Sequence, residues 1–316
     1  MSETLFIINP ASGRGTTSGI WARARRELLA RGMRFTEHPT RKPGEAVQVT
    51  RAAIRDGVRF VIAVGGDGTL NEVVNGYLDA QGEAINPDAA IGLLPSGTGS
   101  DFRRSVGITS WRDALFSIVR PVTRKIDAIR VDFSADDGSP RCRFCINIVS
   151  FGLGADAVAL VNRWRERLPR MVGGRARFII AAVRALKRYR NISVKIMLDE
   201  SREIAASTNL IVVANGRFAG GGMMLAPNAV MDDGLLDVVV ADRVSRLEII
   251  RELPRIGRGG HLKNPLVGEY RARSISVAAE GSLGLEIDGE SAGKTPARLC
   301  ILPASVRFLV KASQDR

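Results

Sequence analysis

The chain of 316 residues is poor in cysteine, histidine and aromatic residues. Its three cysteines, Cys142, Cys145 and Cys300, cannot form a disulfide framework, which indicates a reducing compartment. Cys142 and Cys145 form a C-x-x-C pair, but the alternation of RCRFCINIV predicts a strand with the two thiols on opposite faces. Because His38 and His261 are the only histidines, no second ligand pair for zinc is visible. Disulfide-rich and zinc-binding classes are therefore excluded.

Long apolar runs are missing as well. The stretch FCINIVSFGLGA, at 144–155, is well below the roughly 18 apolar residues of a membrane-spanning helix. The first residues, MSETLFIINPASGRG, lack the basic region and the long apolar run of a signal peptide. We therefore expect a cytoplasmic protein.

Positive charge, by contrast, is abundant and uneven. The formal net charge is +13, and residues 159–190 hold ten Arg and Lys against one Glu. A basic protein of this kind favours an anionic partner: nucleic acid, a membrane surface or a phosphorylated substrate. Aromatic residues, which stack on bases, make up only 5% of the chain, and this argues against nucleic acid.

The segment RARFIIAAVRALKRY, within that basic region, predicts an amphipathic helix. Phe178, Ala182, Ala185 and Tyr189 share one face, and basic residues lie largely elsewhere. Such a helix suits the interface of an anionic bilayer. A helix that packs its apolar face on the core and exposes a charged side to solvent fits the same pattern, so both interpretations stay open.

In the first part of the chain, apolar runs alternate with helical segments. The runs TLFIIN, RFVIAV and AAIGLLP are each followed by a turn containing glycine, at 13–15, 65–68 and 97–99. This alternation predicts a parallel sheet with flanking helices, whose ligands bind at the carboxyl ends of the strands. The three turns should therefore lie along one edge. We expect an α/β domain over residues 1–126.

The remainder of the chain has a different character. Short β-type runs separated by Gly, Asp and Pro predict an antiparallel sandwich or barrel over residues 127–303. A helical insert at 157–190 interrupts it. The last run, at about 304–316, could pair in either domain. The expected fold is thus an α/β domain followed by an all-β sandwich.

The turn GGDGT, followed by the helical LNEVVNGYL, has the chemistry of a phosphate site. Glycines allow a tight turn and a close approach, and amides at the start of the helix can face an anion. Asp67 would repel a bare phosphate, but Mg²⁺ can bridge a carboxylate to phosphate oxygens. A helix entry capped by Asp67 or Thr69 explains the same residues, so the motif alone leaves both open.

The ordered set NPASG, GGDGTLNEVVNG, LPSGTGSDFRR and EIDGE resembles the diacylglycerol kinase catalytic family, which includes bacterial soluble lipid kinases and sphingosine kinases. NIVSFGLGADAV and GGGMMLAPNAVMDDGLLDVV resemble that family's second domain, so the resemblance runs nearly end to end. One departure is Ser100, where the family usually has Asn in GTGND. A serine can still form a hydrogen bond, but the hold on Asp101 is weakened.

The resemblance implies an ATP site made of several loops. Thr40 is implied near the adenine, and the phosphates are held by a glycine-containing turn and the helix that follows it. The implied nucleotide-binding residues are Asn9, Pro10, Ser12, Gly13, Thr40, Gly65, Gly66, Asp67, Gly68, Thr69, Asn71, Glu72, Gly97 and Thr98.

The resemblance also implies the acceptor chemistry. In EIDGE, Asp288 is the first choice for the base that accepts the proton of a lipid hydroxyl, with Glu290 as metal partner or alternative base. Without the family, D-G would predict a hairpin turn. In VMDDGL, Asp233 and the carbonyls of Val230 and Leu235 are implied ligands of a structural Mg²⁺, and Asp232 could replace Asp233.

The implied function is an ATP- and Mg²⁺-dependent lipid kinase with its site in a cleft between the two domains. Its acceptor would be diacylglycerol, a sphingoid base or a related lipid, met at the anionic inner face of the membrane. The partners expected are ATP and this lipid, and no nucleic acid. An enzyme resembling NAD kinases and a non-catalytic nucleotide or lipid sensor are the alternatives. The sequence leaves a homo-oligomer open.

Overall fold

A computed structural model gives the fold of this chain. It describes residues 3–96, 100–164 and 173–311, and of Arg14 the backbone only. The chain divides into two compact units. Residues 1–127 and 304–316 form the first unit, and residues 128–303 form the second.

In the first unit, strands and helices alternate along the chain. Its elements are β1 (Thr4–Ile8), a 3₁₀ turn (Ser12–Gly15), α1 (Thr17–Ala30), β2 (Thr36–Pro39), α2 (Glu45–Arg55), β3 (Phe60–Gly65), α3 (Asp67–Tyr77), β4 (Ala90–Pro95), α4 (Phe102–Ser105), α5 (Trp111–Val119) and the beginning of β5 (Val122–Ser134).

The strands of the first unit form a parallel sheet. β1 lies between β2 and β3, and β4 follows β3, all in parallel register. The end of the chain adds a strand, since Phe308 pairs in parallel with Ile91 of β4. Because these strands are buried on both faces, they are continuous apolar runs, as in FVIAVG of β3. All carboxyl ends of β1, β3 and β4 therefore lie at one edge.

Helix α2 illustrates how the sequence sets the helix bounds. Its buried residues Ala46, Thr50 and Ile54 recur every fourth position and so form one stripe. Gly57, with a φ of 85°, lies just beyond the helix end, where a left-handed conformation ends the helical hydrogen bonding. The glycine at 57 therefore marks the end of this helix in the sequence.

The second unit is rich in β-strands. Its elements are the rest of β5, β6 (Pro140–Cys145), β7 (Ile148–Gly152), α6 (Leu153–Arg163), α7 (Gly174–Ala185), β8 (Ile192–Leu198), β9 (Arg202–Thr208), β10 (Leu210–Ala214), β11 (Phe218–Ala219), β12 (Met223–Met224), β13 (Leu236–Ala241), α8 (Arg246–Ile256), a 3₁₀ turn (Gly260–Lys263), β14 (Val267–Ala272), β15 (Ser274–Ala279), β16 (Gly284–Ile287) and β17 (Glu290–Val310), which continues into the first unit.

These strands form two rows that share β17. One row runs β14-β13-β10-β7-β16-β17, and the other runs β6-β5-β17-β15-β8-β9. One apolar cluster takes side chains from both rows, among them Val131, Phe151 and Ile275, so the rows enclose a common core. The predicted fold class, a parallel α/β part followed by a β-rich part, is confirmed.

The cysteine pair behaves as its spacing predicts. On β6, Cys142 is exposed and Cys145 is fully buried in the core of the second unit. The two thiols therefore lie on opposite faces of one strand and cannot share a metal ion.

Candidate functional site

The loops that follow β1, β3 and β4 are tied together by hydrogen bonds. The side-chain amide of Asn9 donates to Thr69 Oγ1 at 3.0 Å, and its backbone amide donates to the Val64 carbonyl at 3.0 Å. The Thr16 hydroxyl donates to the Ser96 carbonyl at 2.8 Å. We call residues 9–16, 65–69, 96 and 100–101 the strand-end loops. They form a single edge, as the alternation of the sequence predicts, although 97–99, with Gly97 and Thr98, lie outside the described residues.

Gly13 is a point of close approach in these loops, and Gly66 lies beside Ser12. Gly13 has a φ of 57°, and a Cβ there would lie 2.6 Å from the Ser96 carbonyl oxygen, closer than real Cβ contacts. A Cβ on Gly66 would meet the hydroxyl of Ser12 at 3.5 Å. A side chain at Gly13 would therefore collide with the Ser96 backbone, and glycine lets the two loops approach each other.

The Asp67 carboxylate is held by the loop that follows β4. It accepts a hydrogen bond from the amide of Asp101 at 2.7 Å, and longer ones, at 3.4 Å, from the Ser100 hydroxyl and the Phe102 amide. It therefore caps the start of α4. The N-cap position of its own helix is Gly66, and Asp67 is the first residue of α3. The polar contact of Ser100 is thus made with Asp67.

Two further predicted residues organise neighbouring loops. The Glu72 carboxylate accepts hydrogen bonds from the amides of Gly44 at 3.0 Å and Ala46 at 3.1 Å, and so caps the start of α2. The Thr40 amide donates to the Ile8 carbonyl at 2.8 Å, which holds the end of β2 against the end of β1. Both residues therefore shape the edge on which the strand-end loops lie.

Asn71 and Pro10 complete the predicted set among the described residues. Asn71 is buried, and its Oδ1 atom accepts a hydrogen bond from the side chain of Asn75 at 3.2 Å. Pro10 is exposed at the rim of the first loop. Asn71 is thus buried within the first unit, whereas Pro10 is accessible to solvent.

In the second unit, Asp288 and Gly289 form the two-residue turn between β16 and β17. Their φ angles, 48° and 85°, are both positive, and Ile287 pairs with Glu290 across the turn. This is the geometry of a type I′ hairpin, which D-G favours. The hairpin predicted from D-G alone is therefore present.

The side chain of Asp288 is buried and bound on several sides. Its Oδ1 accepts from the amides of Asn147 and Ile148, both at 3.2 Å, and Oδ2 accepts from the amide of Ile146 at 3.3 Å. The Cys145 thiol lies 3.0 Å from Oδ1 and donates to it. Burial and this carboxylate raise the pKa of Cys145 well above its usual range, so the thiol keeps its proton.

Glu290, two residues further on, has the opposite environment. Its carboxylate is 43% exposed and forms an ion pair with the Arg143 guanidinium at 3.0 Å. The two predicted catalytic carboxylates therefore differ in access: Asp288 is enclosed, whereas Glu290 can be reached by another molecule.

Glu286 is a third carboxylate of this turn, which the sequence analysis did not select. It is 5% exposed, and it accepts hydrogen bonds from the Ser150 hydroxyl at 2.7 Å and the Gly289 amide at 2.8 Å. Burial, with a smaller contribution from Asp288, raises its pKa to about 7. The alternation of acids in E-I-D-G-E was the available signal.

The predicted metal loop lies before β13. The Asp233 carboxylate accepts a hydrogen bond from the Leu235 amide at 3.0 Å and pairs with Arg271. The Asp237 carboxylate is fully buried and lies 3.7 Å from the same guanidinium. Burial raises the pKa of the Asp237 carboxyl to about 6, and the nearby Val230 amide partly opposes this rise. No described residue gives either carboxylate oxygen a well-aligned hydrogen bond.

This buried, weakly compensated carboxylate suits a cation, because a buried charge needs a partner. No group of three or more His, Cys, Asp or Glu that could hold a metal occurs within 3–96, 100–164 and 173–311. A cation here would therefore depend on backbone carbonyls, such as those of Val230 and Leu235, as well as on Asp233.

Helix α7, which covers residues 174–185 of the basic segment, packs on the core with the predicted face, and Tyr189 of that face lies beyond the end of the helix. Ala182, Ala185 and Tyr189 are buried, and Phe178 is partly buried against a small apolar cluster. The interpretation as a core-packed helix holds for this face. Residues 165–172 of the insert lie outside the described residues.

Helices α7 and α8 run in opposite directions and approach each other at their ends. Arg175, at the start of α7, contacts Gly257 after α8, and Arg246, at the start of α8, donates to the Tyr189 carbonyl at 2.9 Å. Each helix also has an exposed side that combines apolar and basic side chains, and we call these two exposed sides together the α7–α8 face. Its exposed members are Ile180, Val183, Arg184, Lys187, Leu247, Ile250, Arg251 and Arg255. No helix in the described part of the chain is both long and apolar enough to cross a membrane.

Family models match both parts of the chain. Residues 3–131 match the diacylglycerol kinase catalytic domain, and residues 147–310 match the YegS C-terminal NAD kinase beta sandwich-like domain. A diacylglycerol kinase of Mycobacterium tuberculosis (strain CDC 1551 / Oshkosh) is 30% identical over 98% of this chain and 95% of its own length. A YegS-like lipid kinase of Xanthomonas oryzae pv. oryzae is 31% identical over 97% of this chain and 96% of its own.

Solved structures share the fold. A diacylglycerol kinase from Bacillus anthracis str. Sterne superposes with a TM-score of 0.72 at 21% identity, covering 98% of this chain and 97% of that one. Yeast NADH kinase complexed with NADH superposes with a TM-score of 0.51 at 9% identity, covering 99% and 84%. These likenesses concern the fold alone.

Proposed function

The chain belongs to the diacylglycerol kinase catalytic-domain family and is a kinase of hydroxyl groups; from that premise we propose that it transfers the γ-phosphate of ATP, with Mg²⁺, to a lipid hydroxyl. The observation that carries the proposal is the single edge at which the strand-end loops are hydrogen-bonded to one another. Relatives named as diacylglycerol or lipid kinases align with nearly the whole chain, and they support a lipid acceptor such as diacylglycerol or a sphingoid base.

The strand-end loops would bind the phosphates through the backbone. Amides beside Gly13 and Gly66 and at the first turn of α3 offer N–H groups to an anion, and no Lys or Arg occurs in residues 64–76. The bond from Asn9 to Thr69 would keep two of the loops in register. Bound Mg²⁺ would neutralise phosphate charge, with Asp67 as the proposed carboxylate for it. Thr40 would contact the nucleoside end.

The turn of β16 and β17 would supply the base. Phosphoryl transfer needs a carboxylate that orients the acceptor hydroxyl and takes its proton. The exposure of Glu290 favours it for that contact, whereas the enclosed Asp288 would fix the conformation of the turn. Glu290 is therefore the first choice for the base and Asp288 the second, whereas the sequence suggested the reverse.

We also propose that Asp233, with the carbonyls of Val230 and Leu235, holds a structural Mg²⁺. The buried Asp237 beside them supports this, because a cation would add to the weak compensation that Arg271 gives its charge. This cation would stabilise the loop before β13 and take no part in the transfer.

The α7–α8 face would meet the membrane that contains the lipid. Its basic residues would attract anionic head groups, and Ile180, Val183, Leu247 and Ile250, each at least 42% exposed, would enter the interface. The protein would then act at the inner face of the membrane as a peripheral enzyme.

The double variant Arg184→Ala, Arg251→Ala should bind anionic vesicles about 30-fold more weakly, since each basic residue near such a surface contributes about 1 kcal/mol. Vesicle sedimentation at increasing salt measures this, and binding of the wild type should weaken as salt rises. Arg273→Ala, which removes an exposed charge between β14 and β15, is the matched control and should bind like the wild type. Salt-independent binding of the wild type would contradict an electrostatic role for the face.

Two alternatives make different demands on the acceptor. An enzyme that phosphorylates a soluble dinucleotide is compatible with the fold shared with NADH kinase. A non-catalytic sensor would bind nucleotide or lipid without turnover. The intact carboxylates Asp67, Asp288 and Glu290 argue against the sensor.

The test is turnover of the purified protein with Mg·ATP labelled in the γ-phosphate. The acceptors are vesicles containing diacylglycerol, ceramide, sphingosine or phosphatidylglycerol and, as a soluble arm, NAD. We expect ADP release together with a labelled lipid. Label in NAD alone would favour the dinucleotide kinase, and no turnover with any acceptor would refute the kinase reaction.

A further inference from the structure

Glu286 is a buried acid that forms hydrogen bonds with strand β7 and with the turn between β16 and β17. This turn contains Asp288 and is followed by Glu290. In β7–β16 register it lies opposite Ser150, whose hydroxyl donates to Oε1 at 2.7 Å. Its second oxygen, Oε2, accepts the amide of Gly289 at 2.8 Å. Each carboxylate oxygen therefore has a donor, one from the neighbouring strand and one from the turn itself.

The Ser150 hydroxyl, which is the donor on strand β7, is closely packed against helix α6. A Cβ on Gly154, in the first turn of α6, would lie 2.2 Å from the Ser150 hydroxyl oxygen, so the helix packs directly against this serine. Ser150 is itself buried. Contacts therefore connect Gly154 to Ser150, Ser150 to Glu286, and Glu286 to the amide of Gly289.

We infer that Glu286 is a positioning residue for the proposed phosphoryl transfer, because it fixes one side of the turn through Gly289 while the Asp288 carboxylate fixes the other side on the amides of residues 146–148. This inference rests on the proposed function. Because the turn is held on both sides, the backbone at Glu290 is fixed, and this orients the Glu290 carboxylate. A base must be well oriented to act.

Glu286 also brings a titratable charge to the turn. The titratable groups that face it are Asp288, on its own hairpin, and the Cys145 thiol of β6, which keeps its proton. Near neutral pH, Glu286 changes from the neutral to the ionised form, since its pKa is about 7. A negative charge beside Asp288 raises the proton affinity of the neighbouring carboxylates, and a base of higher affinity accepts a proton more readily.

The turnover number should therefore rise with pH through about 7 in the wild type, and Glu286→Gln should lose that step and keep the turnover number that the wild type has below it. The amide of glutamine can accept from Gly289 and donate to Ser150, but it cannot ionise. Glu286→Ala removes both contacts and should lower the turnover number by between about 10- and 100-fold, with the KM for nucleotide unchanged. Rescue by glutamine relative to alanine separates positioning from a general loss of packing.

A second variant tests the same contact from the other side. The Ser150 hydroxyl stabilises the ionised form of Glu286, so Ser150→Ala should move the step to higher pH. Thermal unfolding gives a readout without turnover. Because the folded-state pKa of Glu286 lies above its ordinary value of 4.5, its contribution to stability is present below pH 4.5 and is lost as pH rises to about 7.

The unfolding temperature of Glu286→Gln, relative to the wild type, should therefore increase over that interval and level off above it. An active wild type whose pH profile is shared by Glu286→Gln would overturn this inference alone. A wild type that is inactive with every acceptor would overturn the proposed function and, with it, this inference. Loss of the pH step in Glu286→Gln and its upward shift in Ser150→Ala would support it.

Discussion

Glu290→Gln should slow phosphate transfer by about 10²- to 10⁴-fold, the range that a general base contributes, and leave nucleotide affinity unchanged. Glutamine keeps the size of the side chain and loses its ability to accept a proton. The position is 43% exposed and paired with Arg143, so the fold should tolerate the change. Single-turnover kinetics measure the transfer, and calorimetric titration measures the affinity for nucleotide.

Asp288→Asn is the partner experiment, and transfer should also fall while nucleotide still binds. It carries a structural cost, because the asparagine amide group would replace an oxygen that accepts from the backbone of residues 146–148. An unsatisfied donor of this kind costs about 1–3 kcal/mol in the free energy of unfolding, so urea unfolding must accompany the kinetics. If Glu290→Gln were fully active and Asp288→Asn inactive at normal stability, Asp288 would be the base.

Asp67→Ala is expected to reduce transfer by about 10²-fold or more, the scale seen when one preorganised group is removed from a phosphate or oxyanion site. The amides of Asp101 and Phe102 would lose their acceptor, and the loop after β4 would lose its anchor on α3. Ser100→Ala, which removes only a contact of 3.4 Å to the same carboxylate, is the matched control and should change activity little.

Asp67→Asn separates the metal role of this residue from its role as a cap. Asparagine retains one acceptor oxygen for the amide of Asp101 but loses the charge that would attract Mg²⁺. The Mg²⁺ concentration that gives half-maximal activity should therefore rise. If this concentration equalled that of the wild type, the carboxylate would serve only to hold α4.

Local patterns were sufficient for the fold class because local chemistry sets it. The apolar run of β3 can only be a strand buried on both faces, and Gly57 ends α2 where a left-handed residue is needed. The D-G pair at 288–289 fixes its own turn. Each of these features depends on a few adjacent residues, so it can be predicted from a short stretch of sequence.

Features that depend on distant residues could not be predicted in the same way. The Asp67 carboxylate is bound by an amide 34 positions away, and a pattern read along the chain contains no such contact. Burial of Glu286 depends on Ser150, 136 positions earlier, and on the helix that follows Ser150. Asp237 likewise is buried by tertiary packing. The family motifs indicated which loops matter, whereas these contacts decide which atoms remain available to a ligand.

The turn at Asp288 and Gly289 constrains how the sequence can vary in length. A hairpin of two residues with positive φ accepts few substitutions, chiefly Asn, Asp and Gly. An insertion or deletion of one residue would do more, because the side chains of β17 beyond the turn would change faces. Glu290 would exchange places with its neighbours, and the apolar residues behind it would turn towards solvent. Natural variation at this turn should therefore change residue type and preserve length.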